Sequence, residues 1–164
     1  MLRRQLMALA ITSALTAAFS APAFATQVYE TDLVIVGGGL SGLAAAQSAV
    51  DQGVKPIVLE KEAALGGGGN FPEGSLGVGT RYQKANGINT TVDQVLTAAL
   101  QFHHYRADPH VLRVLIEESG KTIDWVMDKG AEMRGIRTMY PKDESLMTWH
   151  LFKGGAAGII QRFA

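Results

Sequence analysis

The sequence contains no cysteine in 164 residues. Disulfides, thiol catalysis, cysteine-ligated iron–sulfur clusters and covalent haem attachment are therefore excluded, and nothing here reports the redox state of the compartment. Net charge is also absent, since 15 basic and 15 acidic side chains cancel to zero. With no basic stripe locally either, a nucleic-acid partner has no electrostatic basis. The apolar run near the N-terminus, Leu6 to Phe19, falls short of the ~20 residues that a membrane span needs. What is present is a chain 47% apolar and 18% charged, able to build a core and long enough for one ordinary domain.

The first 25 residues read as a signal peptide. Arg3 and Arg4 precede the apolar run, and a small-residue stretch ends in Ala23-Phe24-Ala25, an A-x-A cleavage site. Removing the leader takes away two arginines and no acid, which leaves a net charge of −2. An exported, periplasmic product with no stable membrane span after cleavage is the expectation. The paired arginines also resemble a twin-arginine signal, although Leu2 stands where a polar residue is usual, so both export routes stay open.

After the leader, Leu33-Val34-Ile35-Val36 is a wholly apolar, β-branched run, which predicts a strand buried on both faces. It leads into Gly37-Gly38-Gly39-Leu40-Ser41-Gly42, a G-x-G-x-x-G match. Leu43 to Gln52 reads as a helix stopped by Gly53, and Ile57-Val58-Leu59 as a second buried strand ending in Glu60. In this unit Gly37 makes the tight turn, Gly39 admits a pyrophosphate close to the backbone, and Gly42 lets the helix pack on the sheet. The helix N-terminus, from Leu40 and Ser41, offers free N–H groups to phosphate. Glu60, 23 positions after Gly37, stands where an acid accepts from ribose hydroxyls, and Lys61 follows it. The fingerprint itself does not distinguish NAD from FAD.

Leu65 to Thr80, "LGGGGNFPEGSLGVGT", decides between them. Seven of the fourteen positions from Gly66 to Gly79 are glycine. Such a run is either a flexible linker or a backbone passing very close to a partner. A linker would need a compact unit before it to join, and none precedes it. With "DLVIVGGGLSGLAAA", "LEKE" and "GGGGN", the chain resembles the FAD-dependent oxidoreductases related to fumarate reductase and succinate dehydrogenase flavoproteins, most of all their exported fumarate- or urocanate-reductase branch. "HYRADPHVLRVLIEESGKTIDWVMDKG" and "TWHLFKGGAAG" are similar to the family as well. The resemblance implies FAD as cofactor, held by Gly66 to Gly69 (Gly68 and Gly69 above all), with Asn70 supplying a side-chain hydrogen bond and Gly74 and Ser75 near the flavin ring. It departs from the family pattern at Phe71-Pro72, where a small polar residue is usual.

Three helical pieces follow. Thr91 to His104 has an apolar face and a capping box, Thr91-x-x-Gln94; Asp108-Pro109 opens a second helix; a third runs from Lys121 to Lys129 and stops at Gly130. His103, His104 and His110 lack carboxylates at ligand spacing, so no metal site is expected. Trp149-His150 lies on a strand entering a glycine turn, read as a core tryptophan beside a solvated histidine.

The fold expected is therefore α/β: a Rossmann-like FAD-binding βαβ unit followed by a helical segment, an incomplete domain. Residues 26–164 form the front of an FAD-binding domain. The family's substrate domain, with its arginine proton donor, would lie further on, so no catalytic residue can be assigned. One function is the FAD-binding portion of a reductase acting on the double bond of an unsaturated carboxylic acid, with an electron-donor protein as a possible partner. The alternative is a small exported flavin- or nucleotide-binding module without catalysis of its own. The chain by itself is expected to fold incompletely or hold flavin weakly, because its apolar strands need cover.

Overall fold

Strand β1, Leu33–Val36, pairs in parallel with β2, Pro56–Leu59, so that Val34 lies opposite Ile57 and Val36 opposite Leu59. The computed structural model describes residues 27–140 and 145–164. The expected leader and cleavage site lie outside them. Residues 31–164 form one compact unit, and residues 27–30 before it are irregular.

Helix α1, Leu40–Asp51, crosses from β1 to β2 and starts three residues earlier than the alanine-rich run suggests. It covers one face of the strand pair. Ile35 points at it, its Cγ2 lying 3.4 Å from where a Cβ on Gly42 would stand. Val34 and Val36 point the other way and are 51% and 85% exposed. The expectation of strands buried on both faces is thus corrected to one covered face, because a single helix packs on the pair and the alternate side chains of β1 have no layer above them.

A 3₁₀ turn, Gly67–Asn70, leads to the short strand β3, Gly74–Leu76. Helix α2, Arg81–Ala85, and helix α3, Val92–Phe102, each begin with a complete capping box, Thr80 with Gln83 and Thr91 with Gln94. Asp108 caps α4 by accepting from the N–H groups of His110 and Val111 at 2.8 and 3.3 Å. The two helices expected after Asp108 are one, α4, running Pro109–Asp128 without a break. Gly120 lies within it, and a Cβ there would stand 2.1 Å from the Val78 carbonyl oxygen. The glycine serves close packing of the helix on the preceding loop; it does not end the helix.

Strand β4, Met133–Thr138, is absent from the sequence reading. It forms the edge of an antiparallel sheet of order β3-β5-β4, with β5 at Met147–Phe152. Helix α5, Gly155–Phe163, closes the described chain. It joins Leu43 of α1, Ile123 of α4 and Phe152 of β5 in one core cluster through Ile159, Ile160 and Phe163. A second cluster sets Val78 against Val95, Leu96 and Ile116. No described helix is long and apolar enough to cross a membrane.

Candidate dinucleotide site

The end of β1 and the end of β2 are tied together by the first glycine turn. Gly37 has φ +100°, and its N–H donates to the Leu59 carbonyl at 2.7 Å. Gly38 N–H donates to Glu60 Oε2 at 2.6 Å, and Glu62 N–H to Glu60 Oε1 at 2.9 Å. Those N–H groups, Glu62 first and Gly38 second, hold the Glu60 carboxyl below the usual carboxylate range. The acid expected as a ribose acceptor is in this structure a clamp on the turn. A glutamate at a strand end facing a turn of bare N–H groups was the available signal for that role.

Gly39 is the N-cap of α1 and carries no side-chain cap, and no acid occupies the first helical turn. The N–H groups of the first turn are left for an outside acceptor, and the helix dipole adds positive charge there. Ser41 is exposed beside them. Gly42 is packed against the turn, where a Cβ would stand 1.9 Å from the Gly37 carbonyl oxygen.

The second glycine segment lies alongside the first. Gly66 bridges Gly39 in parallel fashion, and its N–H donates to the Gly38 carbonyl at 2.7 Å. Leu40 packs where a Cβ on Gly69 would go, at 2.6 Å, whereas a Cβ on Gly68 would meet nothing within 4 Å. A Cβ on Gly39 would meet the Gly66 carbonyl at an ordinary 3.9 Å. The two segments thus form a shallow glycine-walled cradle at the N-terminus of α1. Asn70 spends its amide donors within the loop, on the carbonyls of Leu65 at 3.1 Å and Gly67 at 3.3 Å, which leaves its Oδ1 as acceptor. Lys61 is exposed, its Nζ 3.3 Å from Glu62.

Gly74 and Ser75 belong to a second group on β3. Gly74 is buried against β5, its absent Cβ 2.0 Å from the His150 carbonyl oxygen, and Ser75 is exposed. Helix α5 links the groups: Ile160 packs beside Gly66, and Ala156 N–H donates to the Pro72 carbonyl at 2.8 Å. Phe71 is 85% exposed, so the departure at Phe71-Pro72 places an apolar ring in solvent next to the loop.

Residues 32–157 match the model of the FAD binding domain family. The chain belongs to that family. Its cofactor is FAD. The chain is 35% identical over 129 residues to vinyl phenol reductase of Lactiplantibacillus plantarum, covering 79% of this chain and 26% of that protein. It is 32% identical over 119 residues to fumarate reductase (cytochrome) of Shewanella frigidimarina, covering 71% and 21%. The open conformation of a flavocytochrome c3 fumarate reductase superposes with a TM-score of 0.66 at 21% identity, over 93% of this chain and 26% of that one, a likeness of fold. The chain thus spans about a quarter or less of the length of these relatives. The cradle fits the cofactor: it has a glycine-lined wall, an uncapped helix N-terminus for a diphosphate and an ionised acid for a diol.

Among the histidines, His150 is placed otherwise than expected. His103, the C-cap of α3, His104 (φ 52°) and His110 are exposed. His150 is fully buried and Trp149 half-buried, the reverse of the expected solvated histidine beside a core tryptophan. The alternation of β5 turns Thr148, His150 and Phe152 inward.

Proposed function

We propose that the chain is the FAD-binding front portion of a flavin-dependent reductase that saturates the double bond of an unsaturated carboxylic acid. The observation that carries the reading is the pairing of the two glycine segments, Gly39 beside Gly66, at a helix start that no side chain caps. In this reading the N–H groups of Leu40, Ser41 and Gly42 bind the pyrophosphate, and Glu60 accepts from the adenosine ribose, with Lys61 at the same end. Gly68, Gly69 and the Asn70 carbonyl oxygen line the path toward the ring, with Ser75 beyond. When bound, FAD supplies the hydride for one alkene carbon. The chain's own part is to orient the cofactor, and the acid that protonates the second carbon belongs to residues outside those assigned here.

The two relatives above are named as reductases, of fumarate and of vinyl phenol. Both substrates carry an activated double bond, and the carboxylate belongs to fumarate alone. The acid is therefore the finer part of the proposal. Such a reaction needs an electron donor, and a donor protein is the partner proposed for it.

Gly68→Ala is the test. Nothing stands within 4 Å of the added methyl, so the melting curve should stay where it is. FAD affinity should fall by about tenfold or more, because the methyl occupies the cofactor's approach. The same protein at its full natural length, supplied with a reduced dye, should consume fumarate. Unchanged FAD affinity refutes the cradle, and inertness toward fumarate with turnover of an uncharged alkene refutes the acid.

Export is part of the proposal, on the strength of Leu6–Phe19 and Ala23-Phe24-Ala25. N-terminal sequencing of envelope material should find Thr26 first. A cytoplasmic product that retains Met1 would overturn it.

A further inference from the structure

Behind β3 lies a buried polar cluster that the cradle does not use. His150 is the one buried titratable side chain among the described residues. Its Nδ1 is 3.1 Å from the Thr148 carbonyl oxygen and its Nε2 is 2.9 Å from Thr80 Oγ1. A carbonyl oxygen only accepts, so Nδ1 carries the proton. In the neutral ring Nε2 is then an acceptor, and the single Thr80 hydroxyl proton points to it. The same hydroxyl oxygen accepts from Gln83 N–H at 3.0 Å, which is the N-cap bond of α2. The bonds therefore run in one direction, from Gln83 N–H through Thr80 and His150 to the Thr148 carbonyl, and each polarises the next.

The ring also fixes the loop sterically. A Cβ on Gly77 would stand 2.8 Å from His150 Cε1 and Nδ1, so the imidazole fills the space that this glycine leaves. Tyr82 of α2 meets the ring edge-on at 6.1 Å, and Asp124 of α4 is the charged group that acts on it. Burial holds the imidazole below its ordinary range, against the opposing pull of the Thr148 carbonyl and Asp124. Thr148 Oγ1, on the same inward row of β5, is buried without a hydrogen-bond partner among the described residues.

We propose that His150, neutral and protonated on Nδ1, is a positioning residue that fixes the stretch Gly74–Thr80 for the flavin through Thr80 and Gly77. The inference rests on the reading that this stretch lies toward the ring. Protonation puts a donor on Nε2 against the Thr80 hydroxyl, which must then turn away toward Gln83 Oε1, 3.5 Å off. The loop loosens and FAD is held less tightly. The effect is full above the ordinary histidine range near pH 6.5 and is lost as pH falls through the depressed value in the fold.

The test uses the FAD-loaded protein at its full natural length, labelled with ¹⁵N-histidine. The His150 ring should show a protonated Nδ1 and a bare Nε2, unchanged over the range in which a solvent-exposed histidine titrates. In FAD titrations, Thr80→Val and His150→Asn should weaken binding about tenfold, since asparagine keeps only the Nδ1 donor. Thr80→Ser and His150→Gln, which keep the hydroxyl and the Nε2 acceptor, should stay within about threefold. A ring protonated on Nε2, or four variants that bind FAD alike, overturns the inference alone. Failure of the unsubstituted protein to bind FAD takes down the cradle with it. Where a variant does not fold, the tautomer of the unsubstituted protein decides.

Discussion

Gly42→Ala should destabilise the chain by about 3 kcal/mol or more, at the upper end of overpacking costs. Two effects oppose each other at this position. Alanine in a helix is favoured over glycine by ~1 kcal/mol. The added methyl, however, stands 1.9 Å from the Gly37 carbonyl oxygen, which belongs to the backbone and cannot rotate aside. Relief requires α1 to slide off the turn, and Gly37 is held there by its bond to the Leu59 carbonyl. The clash wins. Gly120→Ala is the same experiment in the other half of the chain, with the Val78 carbonyl 2.1 Å from the new methyl in the middle of α4. Both should lower the urea midpoint without changing its slope, and Gly42→Ala should also lose FAD, because the displaced helix start no longer faces the cradle. A midpoint that rises with either substitution would mean that helix propensity governs these sites and that the close approaches relax at little cost.

The contrast with Gly68 shows how far the sequence could be read. A glycine-rich run announces that side chains are unwelcome without saying what excludes them. At Gly42, Gly69, Gly74, Gly77 and Gly120 the excluding atoms are the protein's own. At Gly68 the protein supplies none. Only the three-dimensional contacts make that division, and at Gly74 the His150 carbonyl by itself already excludes a side chain.

The β1–turn–α1–β2–Glu60 unit and the Thr91 capping box were legible because their signals are local: an apolar run, a glycine spacing, an acid at a strand end, a threonine three residues before a glutamine. Strand β4 was not. Arg134, Gly135 and Arg137 break its apolar alternation, which an edge strand with two irregularities in register tolerates. His150 was misplaced because polar side chains are usually turned outward. Here the pocket left by Gly77 and the Thr80 hydroxyl, 70 residues earlier in the chain, turns it inward.

Glu60 combines a local signal with a role that the signal understates, and substitutions can separate the two. Were it only a ribose acceptor, Glu60→Gln would be mild, because ribose hydroxyls can donate or accept. In the structure its two oxygens already accept from Gly38 N–H and Glu62 N–H. Glutamine can satisfy one of these, and its amide then presents a donor to the other. Glu60→Gln should therefore weaken FAD nearly as much as Glu60→Ala, by about ten- to a hundredfold, the range for losing a hydrogen bond to a charged acceptor. The pH dependence has a definite sign. The folded carboxyl is depressed by those N–H groups, so its contribution is whole above the ordinary glutamate value of 4.5 and disappears as pH falls through the lower value in the fold. FAD affinity of the Gln and Ala variants should lack this acid-side step, while the His150 step, which lies below the ordinary histidine range, persists in both. Isothermal titration of FAD across pH 3.5 to about 7, run on the variants beside the unsubstituted protein, identifies the Glu60 step by its loss in the variants. A Glu60→Gln variant with unaltered affinity and an intact acid step would show that the carboxylate neither clamps Gly38 nor meets the cofactor as a charge.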